Sequence, residues 1–390
     1  MKKIEEISIS LASVPDIGIG LLTGNTGVCL FQFVAHSLTN NQKKYQEVVA
    51  KLEAVFDKIE TDSNVVGTHC GGLAGLGWLI EFATEQGFLK ADTNDVLEFA
   101  DKYTNHMLRI FLNQDNWDFL HGAIGLGLYF LKRNNRRKQA SEIKNLIDFL
   151  TTTAIRVNNN TIKWSSIIDY KTGETGYNIS LSHGMAGIVV FLAKAYSQNL
   201  FKEKTFELLN GAINYILAQE IDVAQYGSFF PSFSIESDKE LHRGRLAWCY
   251  GDLGIAMALY QAGQALQRQD WINKAIEILL YTAIERRDLQ QNMVQDAGLC
   301  HGTAGIGHIF YRAWWNTRLP EFKNAADYWF NETLKMAKFE DGLAGYKAWH
   351  GEKGWVNEYG MLEGIAGIGL AMLSYTTETE PSWDECLLLS

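Results

Sequence analysis

The chain has 390 residues, of which 47% are apolar and 21% charged, with a formal net charge of −10. This balance is typical of a globular protein with a large core, and the negative charge argues against a nucleic-acid partner. No uninterrupted apolar run of about 18 residues occurs, so we expect no transmembrane segment. The five cysteines are too scattered for a disulfide framework, which favours a reducing cytoplasm.

One short motif recurs along the whole chain. It consists of two glycines three positions apart, followed by an apolar run without charges, and successive copies lie roughly 50 residues apart, the size of a helical hairpin. Such a run predicts a helix that is buried on all sides. The paired glycines would allow neighbouring helices to approach closely. The seven copies begin at Gly24, Gly72, Gly122, Gly184, Gly251, Gly302 and Gly364.

Amphipathic stretches with helical spacing lie between the motifs. The alternation of buried and half-exposed helices predicts an all-α fold, an α/α toroid with an inner and an outer ring, built as a single domain over residues 1–390. A segment near Ile7–Val14 is expected to supply a seventh outer helix. The six clear outer stretches are Gln42–Glu60, Asn94–Leu112, Gln139–Ile155, Lys202–Gln219, Trp271–Arg286 and Glu321–Met336.

Three longer connections precede motif helices and carry aromatic, glycine and alternating polar residues. They are Asn158–Ser182, Ile221–Ala247 and Phe339–Met361. We interpret them as hairpins or loops at one end of the toroid, where binding sites usually lie. Two cysteines are not assigned to a binding site, since Cys29 falls within an inner helix and Cys386 within a polar tail.

Chemically active side chains are concentrated just before the motif glycines. Cys249 and Cys300 each lie two residues before a motif glycine and one repeat apart, and His301 follows Cys300 directly. Two thiolates and an imidazole form a donor set that zinc selects, and three protein ligands leave a fourth position open, as in catalytic sites. The sequence therefore predicts a Zn²⁺ site formed by Cys249, Cys300 and His301.

The stretches Trp248-Cys249-Tyr250-Gly251 and Cys300-His301-Gly302, with Ser182-His183-Gly184 upstream, resemble motifs of the lanthionine synthetase C-like family, the lanthipeptide cyclases. The resemblance covers essentially the whole chain. It implies an α/α toroid with zinc held by two cysteines and a histidine. It also implies an enzyme that adds peptide cysteine thiols to dehydroalanine or dehydrobutyrine, forming lanthionine and methyllanthionine thioether rings in lantibiotic biosynthesis.

The resemblance also assigns catalytic roles. His183 would protonate the enolate left by thiol addition, because an imidazole titrates near neutral pH. Asp118 would orient His183 or hold a proton of the ligand on the metal. Arg245 would stabilise enolate charge and Tyr250 would donate a hydrogen bond, although these two roles are interchangeable. His121 departs from the family pattern, either as a second imidazole near the metal or as a structural residue, and Cys70 is interpreted as a remnant of the repeat.

Other functions stay open at this point. The same metal site would serve addition or elimination of a small thiol such as glutathione, and the toroid would also suit a non-catalytic peptide-binding subunit of a synthetase complex. A glycosidase is disfavoured because the thiols would have no task. For the cyclase, the expected partners are a dehydrated precursor peptide, a separate dehydratase and an export transporter, in the cytoplasm or peripheral to the membrane.

Overall fold

The computed structural model describes residues 1–37, 42–61, 65–169, 171–237 and 241–390. Helices dominate this part of the chain, as expected from the apolar and amphipathic periodicities. The helices are α1 (Lys2–Ser10), α2 (Asn25–Ser37), α3 (Gln42–Thr61), α4 (Leu73–Glu85), α5 (Thr93–Val96), α6 (Glu98–Asn113), α7 (Ala123–Asn134), α8 (Ala140–Thr153), α9 (Met185–Ser197), α10 (Lys202–Leu217), α11 (Val223–Tyr226), α12 (Asp252–Leu266), α13 (Gln269–Glu285), α14 (Thr303–Thr317), α15 (Pro320–Lys335) and α16 (Ile365–Thr377).

The seven motif helices are α2, α4, α7, α9, α12, α14 and α16. Each begins directly after the first glycine of its motif and is buried along most of its length, whereas the helices that follow alternate buried and exposed positions. Helix α8, for example, buries Ile143, Leu146, Ile147 and Leu150 and exposes its other face. This alternation confirms the predicted pattern of fully buried and half-buried helices.

The chain divides into two compact units, one of Met1–Met107 with Val294–Cys386 and one of Leu108–Met293 with Leu387–Ser390. In the first unit the motif helices α14, α16, α2 and α4 pack in that order, with α15 on α14 and α3 on α2. In the second unit α7, α9 and α12 pack in that order, covered by α8, α10 and α13. Each covering helix named here packs on the motif helix that precedes it.

The N-terminal helix lies earlier in the chain than the sequence suggested. Helix α1 spans Lys2–Ser10 and buries Ile4 and Ile7, which lie one turn apart and face α16. The predicted segment Ile7–Val14 runs past the end of this helix at Leu11. Helix α1 therefore acts as the predicted additional covering helix, and it packs on the last motif helix although it comes first in the chain.

The long connections differ in content. The first connection region forms two antiparallel hairpins, and Phe339–Met361 forms a third, with a 3₁₀ turn at Gly351–Lys353 between its strands. Within the described part of Ile221–Ala247 there is only the short helix α11 and no strand; residues 238–240 lie outside the described residues. The strands are β1 (Ile155–Asn158), β2 (Thr161–Lys163), β3 (Ser166–Asp169), β4 (Glu174–Gly176), β5 (Ala348–Trp349) and β6 (Trp355–Val356).

The motif glycines are required mainly by the turn that precedes each helix. A Cβ on Gly72 would lie 1.9 Å from the carbonyl oxygen of Val66, and one on Gly305 would lie 1.9 Å from that of Leu299. Contact with a neighbouring repeat is the second constraint, since a Cβ on Gly75 would lie 2.7 Å from the Cβ of Leu21. The predicted helix-to-helix approach is therefore only part of the reason for glycine.

The C-terminal segment is not the polar tail that the sequence suggested. It contains a second 3₁₀ turn at Ser382–Leu387, the side chain of Cys386 is fully buried, and the leucines that follow it are buried as well. Asp384 is hydrogen-bonded within the first unit, and the carbonyl of Leu387 accepts the indole N–H of Trp248 within the second. The C-terminal segment is therefore buried through its three consecutive leucines, although acidic residues precede them.

Candidate metal centre and active site

A common loop geometry presents the residues that precede each motif glycine. In six of the seven motifs, all except the one at Gly251, the carbonyl six residues before the glycine accepts the N–H of the residue after it, as in Ala123 to Asn116 (3.0 Å), Met185 to Asn178 (2.9 Å) and Thr303 to Asp296 (3.1 Å). The loop thus closes over the first turn of the helix. As a result, the residue just before each glycine lies at the N-terminal end of a buried helix, as predicted.

Neighbouring loops are joined through the peptide groups beside the motif cysteines. The carbonyl of Cys249 accepts the N–H of Ser182 at 3.3 Å, and the N–H of Cys300 donates to Leu362 at 2.8 Å. The carbonyl of Cys70 accepts from Leu22 in the same way. These bonds fix the backbone at the positions from which the predicted ligands project.

The structure brings the three predicted metal ligands together. The ligand atoms of Cys249, Cys300 and His301 all lie within 4.8 Å of one another, with Cys249 buried and the other two partly exposed. Tetrahedral zinc with bonds of about 2.0–2.3 Å holds its donors roughly 3.3–3.8 Å apart, so donors that all lie within 4.8 Å of one another are close enough for a single ion to reach after a small adjustment. The donor set, two sulfurs and one imidazole nitrogen, also suits zinc. These three residues could therefore hold a metal.

Asp296 supports His301 and was missed by the sequence analysis. Its Oδ2 lies 3.5 Å from His301 Nε2 and accepts the N–H of Trp349 at 2.9 Å, while Oδ1 accepts that of Gly298. Burial would raise the pKa of Asp296, but His301 and these N–H groups outweigh it and lower the pKa. A carboxylate on one imidazole nitrogen orients the ring and leaves the other nitrogen for a metal.

Asp118 and His183 form a close pair beside the second unit's motif loops. His183 Nδ1 donates to Asp118 Oδ2 at 2.6 Å, and Asp118 Oδ1 accepts the backbone N–H of His121 at 2.7 Å. Burial lowers the pKa of His183, but the hydrogen bond and charge of Asp118, together with Cys249, raise it above its usual value. The arrangement favours an imidazole that can carry and release a proton near neutral pH.

Two aromatic side chains flank His183. The ring of His121 lies 6.3 Å from that of His183 between centroids, and the ring of Tyr250 lies 6.2 Å away. Burial lowers the pKa of His121, with His183 adding to the effect and Asp118 opposing it. His121 therefore lies beside His183, and its place near the metal stays a prediction.

Arg245 is engaged in a hydrogen bond with the backbone. Its guanidinium donates to the carbonyl of Met293 at 3.3 Å. The carbonyl of Arg245 packs against Gly251, where a Cβ would lie 2.0 Å from it, and Gly251 has a φ of +81°, so this position requires glycine. Of the four predicted catalytic residues, Asp118 and Tyr250 thus each lie beside His183, whereas the guanidinium of Arg245 contacts Met293.

A buried ion pair also stabilises the loop around Cys249. Asp252, in the first turn of α12, accepts the backbone N–H of Phe230 at 2.9 Å and the guanidinium of Arg286 at 2.8 Å, and both side chains are fully buried. Arg286 also donates to the carbonyl of Gly244. Both charges of this pair are thus satisfied within the protein, so the carboxylate of Asp252 is not available as a catalytic acid.

The fold and this set of residues define the class of protein. A profile of the family described as lanthionine synthetase C-like protein matches residues 15–388, so the chain belongs to this family. It is 23% identical over 405 residues to the nisin biosynthesis protein NisC of Lactococcus lactis subsp. lactis, covering 95% of this chain and 89% of that protein.

The solved structure described as nisin cyclase superposes on the whole chain and on 96% of its own, with a TM-score of 0.78 and 20% identity. The fold is therefore an α/α toroid, as the sequence predicted. No helix in the described part of the chain combines the length and the apolar character that crossing a membrane requires.

Proposed function

We propose that this protein is a zinc-dependent lanthipeptide cyclase that adds peptide cysteine thiols to dehydroalanine or dehydrobutyrine. The observation that carries the proposal is the cluster of Cys249, Cys300 and His301 in a member of this family. The pair formed by Asp118 and His183 supports it, because the same reaction needs a proton donor. A non-catalytic peptide-binding module would have no need for such a pair.

The proposed metal ligands fit zinc by their chemistry and spacing. Zinc bound there would stabilise the thiolate form of a cysteine from the peptide at neutral pH. Asp296 would keep the imidazole of His301 in place, since its carboxylate lies 3.5 Å from Nε2 of that ring. The partial exposure of Cys300 and His301 would leave room for a thiol from solution.

The remaining residues would handle the proton. Addition forms a C–S bond at the β-carbon and leaves an enolate. The enolate takes a proton at the α-carbon, which balances the proton that the thiol has lost. His183 would deliver this proton, and Asp118 would stabilise the imidazolium and hold its orientation. Tyr250 lies beside His183 and would donate a hydrogen bond to the enolate, whereas Arg245 would first have to release Met293.

The proposed substrate implies other proteins. Its dehydro residues must be made beforehand, so we propose a separate dehydratase and a dehydrated precursor peptide as partners, with an export transporter acting afterwards. We place the reaction in the cytoplasm, or at the membrane surface within a synthetase complex. The proposed single domain would span residues 1–390, the two compact units together.

The experiment combines metal analysis with thiol titration. Tag-free protein should contain about one zinc per chain, and it should remove the free thiol of a dehydrated peptide without changing the peptide's mass. Cys300→Ala should lose both properties, whereas Cys29→Ala, a change at a fully buried core thiol, should retain zinc. Persistent peptide thiols with zinc-loaded protein would contradict the proposal, and turnover of free glutathione without any peptide would favour the small-thiol reaction.

A further inference from the structure

A cleft of about 660 Å³ opens directly from the proposed proton donor. His183 and Asp118 line one end of it. The rest is formed by the loop before α7, the end of α8 and the two hairpins β1–β2 and β3–β4, so every lining residue belongs to the second compact unit. Nothing in the proposed chemistry itself requires a space of this size beside the imidazole.

The cleft combines a rigid floor with an exposed apolar rim. Trp117 and Trp164 are buried, and their indole N–H groups donate to the carbonyls of Ser165 and Leu150, which ties the hairpins to the helices. Ile155 and Ile167 also line the cleft but remain 39% and 45% exposed. Apolar side chains held open to water on a fixed floor are typical of a binding site.

The charge of the walls restricts the ligand further. Asp115 and Asp118 contribute carboxylates, and among the described residues that line the cleft there is no lysine or arginine. An acidic side chain would therefore meet like charge as well as an apolar rim, whereas an apolar side chain would cover exposed isoleucine.

We propose that this cleft binds the precursor peptide next to its dehydro residue and selects apolar over acidic flanking side chains through Ile155 and Ile167. This inference rests on the proposed function, because it places the reacting residue at His183. The cleft is continuous with the proposed proton donor, because His183 lines it. A peptide residue that is protonated by His183 would therefore have its neighbouring residues in this cleft. The cleft is thus a specificity site for the residues beside each ring-forming position.

The test measures binding and turnover separately. Two labelled synthetic peptides carry serine in place of the dehydro residue, flanked on both sides by isoleucine or by aspartate. Wild-type protein should bind the isoleucine peptide at least about tenfold more tightly. Ile167→Asp and Ile155→Asp should remove this preference. Val157→Asp is the matched control, since Val157 lies on the same hairpin as Ile155, is 51% exposed and does not line the cleft.

A variant that is expected to gain affinity controls for misfolding. Ile167→Lys should bind the aspartate peptide more tightly than wild-type protein does, which a folding defect cannot produce. Equal affinity of wild-type protein for both peptides, no binding of either, or equal effects of Ile167→Asp and Val157→Asp would each overturn the inference. Thiol loss from a dehydrated peptide is measured in parallel, so failure of the cyclase proposal is detected independently of peptide preference.

Discussion

Two of the aspartate–histidine pairs in the described part of the chain are joined by short hydrogen bonds but differ in character. His183 donates to Asp118 at 2.6 Å, and His308 donates to Asp384 at 2.9 Å. The His183 side chain is 26% exposed, whereas that of His308 is 1% exposed. The pKa of His183 is raised and that of His308 is lowered, so a hydrogen bond to a carboxylate does not by itself decide how a histidine titrates.

The difference arises from burial and from the third group at each pair. Burial lowers the pKa of His308, Asp384 opposes it, and the positive charge of Arg312 adds to the lowering. Arg312 also binds Asp384 at 2.8 Å and 2.9 Å. At the other pair the second oxygen of Asp118 accepts a backbone N–H, which carries no full charge. The carboxylate of Asp384 therefore binds a buried arginine as well as its histidine, whereas the carboxylate of Asp118 binds a histidine that solvent can reach.

The largest expected effect separates the pairs by activity. His183→Asn should lower the rate of thiol loss from a dehydrated peptide by roughly 10²–10⁴-fold, because the proton donor is removed. His308→Asn should leave the rate per folded molecule unchanged, since His308 is enclosed. Each rate is divided by the concentration of folded protein, which is determined by tryptophan fluorescence. A rate loss in His308→Asn equal to that in His183→Asn would remove the functional distinction between the pairs.

The next effect separates them by stability. Arg312→Met should cost roughly 3–5 kcal/mol in the free energy of unfolding, because it leaves the buried carboxylate of Asp384 without its main partner. Lys144→Met is the matched control: Lys144 is paired with Asp148 but 54% exposed, so about 0.5 kcal/mol or less is expected. Urea unfolding measures both, and comparable losses would mean that Arg312 does not stabilise the cluster.

Much of the candidate site could be predicted from the sequence, for physical reasons. The glycine motif marks the start of each buried helix, so residues at equal offsets occupy equivalent places, which is why Cys249, Cys300 and His301 could be grouped from their positions in the repeats. The packed repeats likewise follow from apolar periodicity alone. These are local or repeated signals, and the fold preserves them.

The residues that were missed depend on contacts between distant segments. Asp296 supports His301 and binds the backbone of Trp349, in a hairpin about fifty residues later, and no local pattern announces that contact. A signal did exist, since Asp296 has the same offset from its glycine as Asn116 and Asn178, whose side chains cap the same turn. The acidic residues near Asp384 made the C-terminal segment resemble an exposed tail. Asp384 is buried because it binds Arg312 in another helix, and no local pattern reveals that pair.

A pH series sharpens the stability comparison. The pKa of Asp384 is about 2, below its unfolded value, because Arg312 and His308 outweigh the effect of burial. Its stabilisation is therefore fully present above about pH 4 and lost as the pH falls toward 2, an effect on the order of 2 kcal/mol. The difference in unfolding free energy between wild-type protein and Asp384→Asn should shrink over this range. A difference independent of pH would show that the charge of Asp384 is not responsible.

The smallest effect has the opposite sign and belongs to His183. Its pKa is raised, so the stabilisation from pairing with Asp118 is present below the unfolded value near 6.5 and is lost as the pH rises through the folded pKa. Asp118→Asn should lower the pKa of His183 in an NMR titration of the imidazole signals, with less than about 1 kcal/mol lost in unfolding at pH 6, because solvent screens a partly exposed pair. Asn can still accept the backbone N–H of His121, so the loop should keep its shape. An unchanged titration of His183 in this variant would mean that Asp118 does not set its proton affinity, and the contrast between the two pairs would then not come from their carboxylates.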